Sequence, residues 1–127
     1  MTSVLIIGAG FGGLGAAIEL TKAGFADVTV LEKADGVGGV WRANTYPGAA
    51  CDIPSALYSW SFATNKRWGR RYSPQSEILA YIERTARDHG VLDKVRTGVE
   101  VQRCEWADGK WTVHTSAGNF TADVVIP

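Results

Sequence analysis

The 127-residue chain sets 13 Lys and Arg against 13 Asp and Glu, and 46% of its residues are hydrophobic. That length suits one domain with its own core, and zero net charge withholds the positive field that a nucleic acid or an anionic membrane surface requires. No apolar run approaches the roughly 18 residues of a membrane span, the 15 glycines follow no collagen-like period, and two cysteines, Cys51 and Cys104, make no disulfide scaffold.

The N-terminus has neither the basic region nor the cleavage site of a signal peptide, so a reducing, cytoplasmic setting is expected. Val4, Leu5, Ile6 and Ile7 form an apolar, β-branched run that suits a central parallel strand buried on both faces. Gly8-Ala9-Gly10-Phe11-Gly12-Gly13 follows at once. Residues 14–23 then place Leu14, Ala17 and Ile18 at helical spacing, and Gly24 stands where a helix-terminating glycine belongs. A second buried strand over residues 28–31 ends at Glu32. Strand, glycine turn, helix and strand make a βαβ unit. In such a unit Gly8 permits the tight turn, Gly10 lets a pyrophosphate approach the backbone, and Gly13 lets the helix pack closely. The helix N-terminus offers free N–H groups and a positive dipole end to phosphates. Glu32 lies about 20 residues beyond the last glycine, where a carboxylate accepts the hydroxyls of an adenosine ribose and repels a 2′-phosphate.

NAD and FAD share this fingerprint, and the next segment separates them. Residues 33–41 show no amphipathic helix of the kind a simple NAD fold carries there. Gly38 and Gly39 before Trp41 suggest backbone lying against a second, longer ligand, and FAD extends past its pyrophosphate into such a wall. The stretch Gly38-Gly39-Val40-Trp41-Arg42-Ala43-Asn44-Thr45-Tyr46-Pro47-Gly48-Ala49-Ala50-Cys51-Asp52-Ile53-Pro54-Ser55-Ala56-Leu57-Tyr58-Ser59-Trp60-Ser61-Phe62 resembles the FAD-binding region of Baeyer–Villiger monooxygenases, within the flavin-containing monooxygenase class. The resemblance continues through Arg71-Tyr72-Ser73-Pro74-Gln75-Ser76-Glu77-Ile78-Leu79-Ala80-Tyr81.

The resemblance implies a Rossmann-like α/β FAD-binding domain over residues 1–127, truncated, with a parallel sheet, a β-meander crossover and no NADPH-binding domain. It implies cofactor contacts from Gly8, Ala9, Gly10, Phe11, Gly12, Gly13, Glu32 and Lys33 on the adenosine and phosphate side. Gly39, Val40, Trp41, Asp52 and Tyr58 fall on the flavin side, and Val101 lies against the adenine. Ala50 and Ala56 stand where relatives often carry Arg and His. The implied cofactors are FAD and NADPH, the latter held mostly outside this chain. The implied reaction is oxidation of a small-molecule ketone or heteroatom by way of a C4a-peroxyflavin. Family enzymes are several times longer and carry a second glycine fingerprint. This segment alone is therefore expected to bind FAD weakly, to contribute no catalytic side chain and to perform no coupled oxygenation. A non-catalytic flavin-binding remnant or subunit, and an NAD-linked dehydrogenase domain, are the alternative readings.

Further along, Ser73 and Pro74 read as N-cap and first residue of a helix running to about His89, with Ile78, Ile82 and Ala86 on one stripe and Gly90 ending it. Residues 95–97 suit a third parallel strand. Residues 99–106, 110–116 and 120–122 suit a meander, with turns at Asp108-Gly109 and Gly118-Asn119. Residues 123–126 return as a buried parallel strand. Lys66, Arg67, Arg70 and Arg71, interleaved with Trp68 and Tyr72, read as a solvated surface segment. His89 and His114 lack neighbours at zinc spacing, so no metal is expected. Cys51 and Cys104 read as packed thiols, and Trp106 and Trp111 as a cross-hairpin pair.

Overall fold

The computed structural model describes all residues, Met1–Pro127. β1 (Ser3–Ile7) leads through the glycine turn into α1 (Phe11–Lys22) and β2 (Asp27–Leu31). A single helical turn, α2 (Val40–Ala43), and the longer α3 (Gln75–Asp88) precede β3 (Val95–Arg96). β4 (Val101–Ala107), β5 (Lys110–Thr115) and β6 (Gly118–Ala122) form the meander, and β7 (Val124–Ile126) ends the chain. The parallel sheet has the order β3-β2-β1-β7, and β4-β5-β6 form a separate antiparallel sheet. β1 is therefore an inner strand, paired with β2 through Ser3↔Asp27 to Ile7↔Leu31 and with β7 through Val4↔Val124 to Ile6↔Ile126.

Side chains alternate across a strand, and this alternation divides the core in two. Val4, Ile6, Val28 and Val30 face Leu14, Ala17 and Ile18 of α1 and Ile78, Ile82 and Ala86 of α3. Leu5 and Leu31 face the other way, onto Val99, Val113 and Ala122 of the meander side. The unbroken apolar run of residues 4–7 in β1 follows, because both faces of the strand are covered.

Several local expectations are corrected. α1 begins at Phe11 rather than Leu14, with Gly10 as its N-cap. Pro74 is the N-cap of α3, with an extended ψ of 162°, and Ser73 lies outside the helix. The reason is tertiary: the Ser73 N–H donates to Ser55 Oγ at 2.7 Å, and its carbonyl accepts from the Cys51 N–H at 3.0 Å. That leaves Ser73 wholly buried beside an extended neighbour. Gly118 and Asn119 sit within β6, not in a turn. Thr115 closes the turn earlier, its hydroxyl accepting from the Ala117 N–H at 3.0 Å and donating to the Gly118 carbonyl at 2.6 Å. Asp108 and Gly109, with φ of 54° and 75°, do make the expected two-residue turn. Val99 lies ahead of β4, held in the second core, and a register shift separates Val101 from Arg103. The rings of Trp106 and Trp111 pair across the hairpin at 5.5 Å. Lys66, Arg67, Arg70 and Arg71 are exposed. No helix is long and apolar enough to cross a membrane.

Asp123 joins the two sheets. Its Oδ2 accepts from the Ser3 N–H at 2.8 Å and the Ser3 hydroxyl at 3.0 Å, while Lys110 Nζ lies 3.0 Å from Oδ1. The Ser3 N–H first, then Lys110, hold its carboxyl at about 2, below the ordinary 3.8. A folded pKa below the unfolded one adds stability that is complete above the ordinary value and is lost as pH falls through the folded pKa. Asp123→Asn is therefore expected to melt below wild type at pH 7, with the gap closing as pH falls from about 4 to about 2. Thermal melts in pH steps check this, and a gap that stays constant would assign the loss to something other than the charge.

Candidate functional site: a dinucleotide pocket

The site begins where β1 meets α1. Gly8 has φ +96°, and its N–H extends the sheet ladder to the Leu31 carbonyl at 2.8 Å. A Cβ on Gly13 would fall 1.8 Å from the Gly8 carbonyl oxygen, so only glycine lets the helix enter this close to the turn. The first helical hydrogen bond runs from the Leu14 N–H to the Gly10 carbonyl at 3.0 Å. The N–H groups of Phe11, Gly12 and Gly13 precede it and have no acceptor within the helix. The first turn carries no acidic residue. Free donors and the positive end of the dipole thus meet where an anionic group would rest, which fits a dinucleotide diphosphate.

Glu32 is 7% exposed, and both its carboxylate oxygens are already engaged. Oε1 accepts from the Ala9 N–H at 2.9 Å and Oε2 from the Ala34 N–H at 2.8 Å. Its own backbone bridges the Arg96 carbonyl and the Val99 N–H, each at 2.9 Å. A carboxylate oxygen has two acceptor positions. Glu32 therefore fixes the glycine turn and keeps capacity for two more donors. Sequence reasoning gave it a ligand role alone, and the hold on Ala9 is an addition.

Beyond Glu32 a second glycine loop closes on the first. The Gly38 N–H donates to the Ala9 carbonyl at 2.9 Å. Gly39 has φ +57°, and a Cβ there would lie 3.0 Å from the Gly10 Cα. Gly10 was expected to make room for a pyrophosphate; in the fold its Cα also lies against the second loop, an approach that the missing Cβ of Gly39 permits. Between the loops and the meander lies a cavity of about 750 Å³. Gly8, Glu32, Lys33, Gly39, Val40 and Val101 line it, together with Val99 and Glu100.

The other expected contact residues are not among those lining this cavity. Phe11, Trp41 and Tyr58 form one aromatic group: Trp41 Nε1 donates to the Tyr58 hydroxyl at 3.0 Å, and the Tyr58 and Phe11 rings meet edge to face at 5.1 Å. Trp60 and Tyr81 complete the group and were not singled out from sequence. Trp60 Nε1 donates to the Phe11 carbonyl at 3.1 Å. The Tyr81 hydroxyl accepts from the Trp60 N–H at 3.0 Å and donates to the Ala63 carbonyl at 2.6 Å, and burial pushes its pKa up. Trp60 falls inside the quoted motif, which is the only sequence signal for it. Asp52 is exposed on the loop after buried Cys51 and is not brought into the cavity. Gly12 is exposed at the first turn of α1, and Ala9 is fully buried beneath it. Nowhere do three or more His, Cys, Asp or Glu side chains converge as a metal site.

These features define a dinucleotide-binding α/β domain. Residues 6–73 match the NAD(P)-binding Rossmann-like domain family, and the chain belongs to it. Within that class it is similar to the N-terminal portion of Baeyer–Villiger and FAD-binding monooxygenases. A Baeyer–Villiger monooxygenase of Streptomyces coelicolor is 50% identical over 125 residues, covering 97% of this chain and 24% of that protein. A cyclohexanone-bound crystal structure of cyclohexanone monooxygenase gives a TM-score of 0.90 at 34% identity, over 98% of this chain and 26% of that one. OTEMO in complex with FAD and NADP gives a TM-score of 0.90 at 26% identity, over 98% of this chain and 25% of that one. The chain spans about a quarter of the length of the curated relatives it matches.

The glycine packing gives a prediction with an unusual sign. Alanine ordinarily stabilises a helix interior by about 1 kcal/mol over glycine. Gly13→Ala is instead expected to destabilise by about 1–3 kcal/mol, because its methyl meets backbone. Gly12→Ala, with nothing within 4 Å of its Cβ, is the control and should not lose stability. Urea melts of both variants decide it; a stable Gly13→Ala would mean that α1 does not sit this close to the turn.

Proposed function

We propose that this chain binds FAD and forms the FAD-binding part of an NADPH- and O₂-dependent monooxygenase acting on a ketone or a heteroatom substrate. The observation that carries this reading is the convergence of two glycine loops and one buried carboxylate on a single cavity, with an aromatic group beside it. An NAD site needs the first loop and the acid. The second loop, packed onto the first through Gly38 and Gly39, favours a longer ligand.

In this reading each residue has one task. The N–H groups of Phe11, Gly12 and Gly13 bind the diphosphate, next to Gly8, Ala9 and Gly10. Glu32 accepts the ribose hydroxyls with its remaining lone pairs, and Lys33 and Val101 flank the adenosine end. Gly39, Val40 and Trp41 lie along the flavin half, with Tyr58 and Asp52 beyond them. When bound, FAD supplies the redox and oxygen chemistry. The chain's own share is binding, orientation and exclusion of water by the Phe11, Trp41, Tyr58 and Trp60 rings. NADPH and the ketone come to this chain by its similarity to the monooxygenases described above. The two free thiols, Cys51 buried and Cys104 partly so, support a reducing, cytoplasmic setting.

Glu32→Ala is expected to weaken FAD binding by about 1–3 kcal/mol, through loss of charge-assisted hydrogen bonds to the ribose. It should also lower the melting temperature, because the Ala9 and Ala34 N–H groups lose their acceptor. Flavin-fluorescence titration below both melting temperatures separates the two effects. Equal affinities would remove Glu32 from the ligand site, and failure of the wild-type chain to bind FAD would overturn the proposed function.

A further inference from the structure

The loop between β2 and α2 has no regular structure, yet it makes the second wall of the cavity. Gly38 and Gly39 have φ of +126° and +57°, and glycine is the residue least confined to such a conformation. α2 is one turn long, too short to be stable alone. Arg42 holds both. Its Nε donates to the Val37 carbonyl at 2.7 Å, and its Nη2 donates to Glu83 Oε1 of α3 at 3.0 Å. Nη1 lies 3.6 Å from Asp35 Oδ1, but Asp35 is 94% exposed, so this last pair adds little. The guanidinium lies over Gly36, where a Cβ would fall 2.3 Å from Cζ. The Gln75 side-chain amide, donating to the Trp41 carbonyl, is a second tie from α3 to the same turn.

We propose that Arg42 is a positioning residue for the dinucleotide site. It clamps residues 36–40 between the Gly10 turn and α3, so that the Gly39 and Val40 wall stands before the cofactor arrives. The proposal rests on the FAD reading of the cavity. The planar fork matters because one group must reach a loop carbonyl and a helix carboxylate in fixed directions, which a lysine ammonium does not do. A site whose competent form is only fractionally populated loses affinity by that fraction. Releasing the clamp therefore costs affinity. Arg42 also lines the cavity itself, so local exchange in residues 36–40 of the ligand-free chain, which a direct ligand contact would not govern, is what separates the clamp from such a contact.

The test compares the full chain with Arg42→Met, Arg42→Lys and Gly36→Ala. Gly36→Ala leaves Arg42 in the sequence but puts a methyl where its guanidinium lies, and Gly36 is outside the left-handed region that would penalise alanine. FAD affinity is read by flavin fluorescence well below the lowest melting temperature, and backbone hydrogen exchange is read residue by residue without ligand. Arg42→Met should raise the FAD Kd about tenfold and speed exchange in residues 36–40, leaving the centre of α1 unchanged. Arg42→Lys should not restore either value, and Gly36→Ala should shift both the same way. A merely structural arginine would lower the melting temperature while leaving local exchange and the Kd of the folded protein at wild-type values, which would overturn the proposal. Full recovery with lysine would overturn it as well. If the wild-type chain binds no FAD, the cofactor reading falls, and exchange in residues 36–40 alone decides whether the clamp exists.

Discussion

The structure depends on one close approach: α1 enters against the end of β1 so tightly that no side chain fits at Gly13. A methyl there would lie 1.8 Å from the Gly8 carbonyl oxygen. This contact sets the angle of α1, and the angle aims the unpaired N–H groups of its first turn. It also brings Gly10 to the second loop, where a Cβ on Gly39 would lie 3.0 Å from the Gly10 Cα. Backbone, not side chains, therefore supplies most of the free donors where α1 begins, and backbone amides hold their direction with no rotamer freedom to lose.

Around that contact the sheet acts as a partition. One face of β1 and β2 carries the helices and the other carries the meander. The cavity opens where the partition ends, at the carboxyl ends of the parallel strands, which is where ligands bind in open α/β sheets. Glu32 stands at that edge. It is tied to β3 and Val99 by its backbone and to both loops by its carboxylate. One residue thus links the helix side, the meander side and the cavity. At the opposite end of β1, Asp123 makes the corresponding link between Ser3 and Lys110.

The aromatic group has a parallel logic. Trp60 sits against Gly15, where a Cβ would fall 2.8 Å from the indole nitrogen. Its N–H finds the Phe11 carbonyl, and its backbone N–H finds the Tyr81 hydroxyl. The polar tips of Trp41, Tyr58, Trp60 and Tyr81 all have partners, as burial of Trp and Tyr favours, whereas Trp68 Nε1, buried beside Tyr81, has none. The rings therefore form a fixed shelf joining the α1 N-terminus to α3, and the Trp41–Tyr58 bond carries that shelf toward the second glycine loop.

The sequence by itself determined the βαβ unit, the central place of residues 4–7, the meander and the Asp108-Gly109 turn. Each is written in a period of two or of 3.6, in an unbroken apolar run, or in a glycine that one local conformation demands. It also marked Gly8, Glu32, Gly39, Val40 and Val101, which the fold gathers at one cavity. Tertiary structure alone decided the rest. Ser73 is held outside the helix by Ser55, 18 residues away, and caps nothing. Glu32 spends one oxygen on Ala9, 23 residues back. Arg42 finds Glu83 across 41 residues. These partners share no local pattern, because they meet only after the strands have paired and α3 has docked, and a hydrogen bond between distant residues leaves no periodic trace in the chain.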